Sequence, residues 1–119
     1  MKLVVNDYIP FPGYKCMALW PFIFIRRAAL SRYTKTDDNH EEIHGEQQKE
    51  MLIIFFLLWY LIEWLIRLII YRNQAEAYRN ISFEQEAYEH ESDLEYLNKR
   101  KRFNWIKYIF KKTYKKRQA

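Results

Sequence analysis

The stretch MLIIFFLLWYLIEWLIRLIIY, residues 51 to 71, carries only two charges, Glu63 and Arg67, among apolar and aromatic side chains. Its length matches the roughly 20 residues that a helix needs to cross a bilayer, so a transmembrane helix and a buried core helix compete for it. The rest of the chain must be read around that choice. Among its 119 residues are two Gly and three Pro, and Pro10 and Pro12 lie in the first dozen. Everything after Pro21 therefore lacks strong breakers, and a mostly helical body is expected.

Before Pro21 the pattern is different. KLVVNDYIPFPGYKCMALWPFIFIRR mixes β-branched and aromatic residues with turn signals and has no helical period. It predicts short antiparallel strands over about residues 2 to 5, 14 to 19 and 22 to 26. Asn6, Asp7, Pro10, Pro12 and Lys15 interrupt its apolar residues, and no small-residue cleavage site follows, so it does not read as a signal peptide. The expected fold class is thus α+β, mostly helical, with one core in residues 1 to 98 and no room for a second catalytic lobe. The single cysteine, Cys16, excludes an internal disulfide and suits a reducing compartment. Cytoplasmic location, or a peripheral or integral place at the cytoplasmic membrane, is expected.

The net charge of +5 divides unevenly. Residues 99 to 119, KRKRFNWIKYIFKKTYKKRQA, hold ten of the twenty Lys and Arg and no acid, which leaves an acidic body with a basic aromatic tail or helix. Phe103, Ile106 and Phe110 fall at helical spacing among its lysines, as a membrane surface or a partner groove would require. Nucleic acid is the weaker reading of the same residues. The bland one is that Trp105 and Tyr108 pack on the core while the lysines are solvated.

LSRYTKTDD ends in helix N-cap residues, Thr36, Asp37 and Asp38, and DDNHEEIHGEQQKEM follows. His40, Glu41 and His44 there spell H-E-x-x-H. On a helix, residues four apart share a face, so both imidazoles can reach one Zn²⁺ while Glu41 stands ready to polarise water without ligating. The competing reading is a solvated, charged helix start.

A catalytic zinc needs a third protein ligand. Gly45 directly follows His44 and the only later histidine is His90, so metzincin spacing is absent. ISFEQEAYEHESDLEYLNKRKR reads as a helix, and with its FEQEAY segment the chain resembles the gluzincin metallopeptidases, whose third ligand is a Glu on a later helix. The likeness is to the small soluble minigluzincins, and locally to the F-E-x-x-A-D helix of CAAX prenyl and heat-shock proteases. It spans roughly residues 36 to 92. It implies Glu84 as third ligand, Ala87 at the small position, and Tyr88 where those proteases have an Asp. Glu86 is the competing ligand, but a helix turns residues 84 and 86 about 200° apart, and Glu84 shares its face with Ala87 and Tyr88. Glu86, Glu89 and Glu91 then belong to a solvated face.

Reach tests the long apolar run. If residues 40 to 71 formed one straight helix, its end would lie on the order of 40 Å from the zinc, a span that the link to Glu84 covers only when fully extended. A bend within residues 54 to 62 is therefore expected, giving a zinc helix of 37 to 54 and a buried helix of about 57 to 71. Glu63 and Arg67 would pair at i,i+4, and Trp59, Tyr60 and Trp64 would pack.

The resemblance implies a zinc metallopeptidase acting on a peptide or protein substrate. Glu41 would be the general base, Tyr88 would help at the carbonyl, and the strand at residues 22 to 26 would align the substrate. The alternative is a catalytically silent zincin-like module that contacts a membrane through residues 51 to 71 or the basic tail, or a protein partner.

Overall fold

The computed structural model describes residues 1 to 110. Three strands, β1 (Lys2–Asn6), β2 (Cys16–Leu19) and β3 (Phe22–Arg26), are followed by a 3-10 turn (Arg27–Arg32) and by helices α1 (Lys35–Glu50), α2 (Ile54–Tyr71), α3 (Gln74–Arg79), α4 (Ser82–His90) and α5 (Tyr96–Lys99), with a last 3-10 turn at Asn104–Tyr108. The chain is α+β and mostly helical.

The sheet has the order β1-β3-β2, so β3 is central and its Ile23 and Ile25 are fully buried. A two-residue connection makes β2 and β3 antiparallel, with Ala18 opposite Ile23, whereas β1 runs parallel to β3, with Leu3 opposite Ile23. The expected all-antiparallel arrangement thus holds for one pair only, because the chain reverses once in the loop after β1 and again at the β2–β3 hairpin, and β3 comes to lie between the other two strands in the direction of β1. The placement of 22 to 26 beside the active helix is also corrected. The edge strand against α1 is β2, fastened where Gln48 donates to the Ala18 carbonyl at 2.9 Å and accepts from the Trp20 N–H.

Helix α1 begins earlier than its acidic residues suggest. Thr34 is the N-cap of a capping box: its hydroxyl accepts from the Asp37 N–H at 3.1 Å and the Asp37 carboxylate accepts from the Thr34 N–H at 2.9 Å. The helix then stops at Glu50, because Leu52 and Ile53 take left-handed backbone angles, φ 54° and 59°. This corner lies just before the expected window of 54 to 62. Two such residues in succession, one β-branched, cost about 1–3 kcal/mol each. Burial of Phe56 against Phe83 and Trp105 immediately after the corner offsets that cost.

The apolar run is not the buried helix that its composition suggests. Only Phe56 and Glu63 of α2 are buried, and the helix packs on the domain along one side. The link after it is not polar coil but carries α3, capped by the Asn73 side chain, which accepts from Glu76 N–H at 3.1 Å. The expected single helix from residue 81 onward is cut after His90. Asn39 of α1 donates to the carbonyls of Glu91 and Asp93 at 2.8 and 3.0 Å, which uses the groups that further turns would need.

Residues 99 to 110 belong to the body. Arg100 enters the interior between Glu50 and Glu86, and Trp105 and Tyr108 are buried. The remainder of the basic tail, residues 111 to 119, lies outside the described residues.

Candidate metal centre

Three side chains from two helices converge under the sheet. The i,i+4 spacing on α1 places His40 Nε2 3.2 Å from His44 Nε2. The carboxylate of Glu84, at the start of α4, reaches both imidazoles: Oε1 lies 3.2 Å from His40 Nε2 and Oε2 lies 3.1 Å from His44 Nε2. All three residues are less than a tenth exposed. Ligand atoms about 2.0–2.1 Å from a tetrahedral zinc stand roughly 3.3 Å apart; the two imidazole nitrogens have that spacing, and each lies as close to one of the two Glu84 oxygens. His40, His44 and Glu84 could hold a metal ion.

Each of the three is held from behind. His44 Nδ1 lies 2.7 Å from Gln47 Oε1, and Gln47 Nε2 donates to the Phe83 carbonyl and to Glu86 Oε1, at 3.0 and 2.9 Å. The Tyr60 hydroxyl donates to Glu84 Oε2 at 2.8 Å. A carboxylate oxygen of Glu91 lies 3.3 Å from His40 Nδ1. Carboxylates and amides in these positions fix the tautomer and aim of metal-ligating imidazoles.

The charges respond as such a cluster requires. Burial would lower His40, but the Glu84 and Glu91 carboxylates outweigh it and push it up to about 10. Burial would likewise raise Glu84, yet the two imidazoles pull it well below the usual carboxylate range. The imidazoles and the Glu84 carboxylate thus compensate one another, and a divalent cation bound among them would take over the positive charge.

Glu41 points elsewhere. It borders a cavity of about 370 Å³ together with His44, Glu84 and Tyr60. Its Oε1 accepts weakly from the Cys16 thiol at 3.7 Å, and its Oε2, although buried, has no hydrogen-bond partner among the described residues. Burial is the main influence and pushes Glu41 up to about 7, against the pull of both imidazoles. The same burial, with the Glu41 charge, holds the Cys16 thiol far above its ordinary value. A carboxylate that changes protonation near neutrality on a cavity wall is suited to proton transfer.

Tyr88 borders a second cavity together with His40, Glu41 and Glu91. Its ring packs edge-on against His40, 4.5 Å between centroids, and the Arg79 guanidinium lies 3.7 Å from the ring centre. One expectation is corrected here. Glu86 and Glu91 are not both on a solvated face. Glu86 is fully buried and bound to Arg100, and Glu91 stands beside His40, whereas Glu89 is exposed as expected.

The residues that sequence reasoning missed are Gln47, Tyr60 and Glu91. Gln47 carries a signal, since it stands one turn beyond His44 on the same helix face. Tyr60 carries none within an apolar run, and Glu91 becomes relevant only because α4 ends where it does. No family model matches the chain, and no curated protein or solved structure matches it.

Proposed function

We propose that the chain is a zinc-dependent peptide hydrolase of the gluzincin type, with His40, His44 and Glu84 as ligands and Glu41 as general base. The observation that carries this reading is the pairing of a buried, closely spaced His, His, Glu set with a buried Glu41 oxygen that has no partner among the described residues, on the adjoining cavity. Zinc held there would supply Lewis acidity to the substrate carbonyl and to an attacking water.

The chain's own residues do the rest. Glu41 accepts the water's proton and returns it to the leaving amine, and burial has already raised its proton affinity to suit that exchange. Tyr60 keeps Glu84 aimed at the histidines, and Gln47 keeps His44 in one tautomer. The edge strand β2 meets the cavity through Cys16, Met17 and Ala18, so an extended peptide added along it would pass the ligands. Gln48 already occupies the Ala18 carbonyl and the Trp20 N–H, which confines that addition to the earlier part of the strand. Phe56, Leu57, Leu61 and Trp64 wall the cavity, favouring a bulky apolar side chain next to the scissile bond.

The test is Glu41→Gln, assayed with zinc on a mixed peptide library. Zinc content and melting temperature should equal those of the natural protein, while cleavage falls by roughly 10²-fold or more. Cleavage that survives the substitution unchanged contradicts the reading.

A further inference from the structure

Helix α2 is built inside out. Its charged residues face the protein: the Glu63 carboxylate accepts from the Ser82 N–H and hydroxyl at 2.7 and 2.6 Å and from the Trp59 indole N–H at 3.0 Å. Arg67 pairs with Glu63 at 3.3 Å and donates to the Ile109 carbonyl. Around the rest of the helix eleven side chains between Ile54 and Ile70 are exposed, and every one is apolar; Leu58, Ile62, Leu65 and Ile69 among them fall on the side away from Glu63 and Arg67. Ile69 is 76% exposed and Ile62 55%. At 1.5 Å per residue the stripe is roughly 24 Å long, far beyond what a water-soluble monomer leaves uncovered.

Charge identifies what covers it. Phe103 shares a groove with Phe55, Leu58, Trp59 and Ile62, so the basic segment borders the stripe. Lys101 and Arg102 flank Phe103 in sequence and are exposed, neither is in a described ion pair, and no acid occurs from residue 99 to 110. An apolar stripe edged by cations fits an anionic lipid surface, where acyl chains take the side chains and headgroups take Lys101 and Arg102.

Orientation follows from what lies along the other side. The protein touches α2 near its start, where Phe56 meets Phe83, at its middle, where Glu63 meets Ser82, and in its last turns, where Arg67 meets Ile109. A helix crossing the bilayer would draw that whole flank into hydrocarbon, with its buried charges and backbone groups. We propose that α2 lies in the interfacial layer of an anionic membrane, parallel to its plane, with Phe103 inserted beside it and Lys101 and Arg102 on the headgroups.

This seating is independent of the metal. The experiment uses the full chain and vesicles of phosphatidylcholine alone or with phosphatidylglycerol. Binding should be stronger to the mixed vesicles and weaken as salt rises. Lys101→Glu and Arg102→Glu together should weaken binding to mixed vesicles at least tenfold, at about 1 kcal/mol for each charge. Leu65→Glu with Ile69→Glu, on the outward side where no interior contact is lost, should abolish vesicle binding while far-UV circular dichroism stays unchanged.

Spin labels on cysteines at 54, 58, 65 and 69, in a Cys16→Ser background, should report one common depth. A depth that changes progressively by about 20 Å from 54 to 69 would mean a spanning helix and overturn the proposal. A soluble dimer that ignores vesicles of either composition would mean that a second copy covers the stripe, and would also overturn it.

Discussion

Replacing Arg100 by Met removes the one cation between two buried carboxylates. In the natural protein the Arg100 Nε donates to Glu86 Oε2 at 2.6 Å and Nη2 to Glu86 Oε1 at 3.0 Å, while Nη1 and Nη2 hold Glu50. All three side chains are at most 5% exposed. Gln47, Tyr96 and Asn104 would still donate to Glu86, so its hydrogen bonds are partly kept, but neither carboxylate would have a counter-charge. Stranding one partner of a buried pair costs about 3–5 kcal/mol. For a chain of this size that lowers Tm by roughly 10–20 °C.

The deficit must depend on pH. Burial would raise Glu86, but the Arg100 hydrogen bonds and charge hold it below the ordinary value of 4.5. A depressed carboxylate contributes stability that is present above 4.5 and lost as pH falls through the folded value. Arg100→Met deletes that contribution, so its gap from the natural protein should be widest near pH 7 and should close as pH falls below 4.5. Thermal melts by circular dichroism in mild detergent, from pH 3 to 8, measure both quantities. A loss under 1 kcal/mol, or a gap that stays constant with pH, would refute the assignment of this triad as a buried ionic clamp.

Three further outcomes follow from the same contacts. Gln47→Leu should weaken zinc binding about 10–100-fold, because His44 Nδ1 loses its partner, and competition with a chromophoric chelator would detect it. Leu52→Gly, which would cost about 1 kcal/mol inside an ordinary helix, should be neutral or stabilising, since φ is 54° there, and the melting temperature checks it. Cys16, held protonated by burial and by Glu41, should react with iodoacetamide at pH 8 at least tenfold more slowly than a free thiol, and denaturation should restore the ordinary rate.

Some of this architecture can be read from residues alone. The H-E-x-x-H spacing places His40 and His44 on one face, and the angle between residues 84 and 86 favours Glu84, whose carboxylate lies against both imidazoles. The reach from Tyr71 back to Glu84 requires a bend between α1 and α2. Its position could not be read, because Leu52 and Ile53 adopt left-handed angles that their side chains disfavour and that only the packing of Phe56 enforces. Nor could the polarity of α2. In sequence Glu63 interrupts an apolar run, and it takes the Ser82 backbone and hydroxyl, nineteen residues away, to show that the charge points inward. The tail misleads for a similar reason, since Arg100 looks like one of many cations until Glu50 and Glu86 close around it.

The proposed zinc ligands are His40, His44 and Glu84. Zinc content, measured on protein purified without chelator together with X-ray absorption at the zinc edge, decides whether they hold the metal. About one zinc per chain is predicted, bound by two imidazole nitrogens and by oxygen, reduced in Glu84→Ala and retained in Glu86→Ala. Protein that folds and retains no zinc, or that keeps full occupancy when Glu84 or His44 is replaced by Ala, would contradict the account.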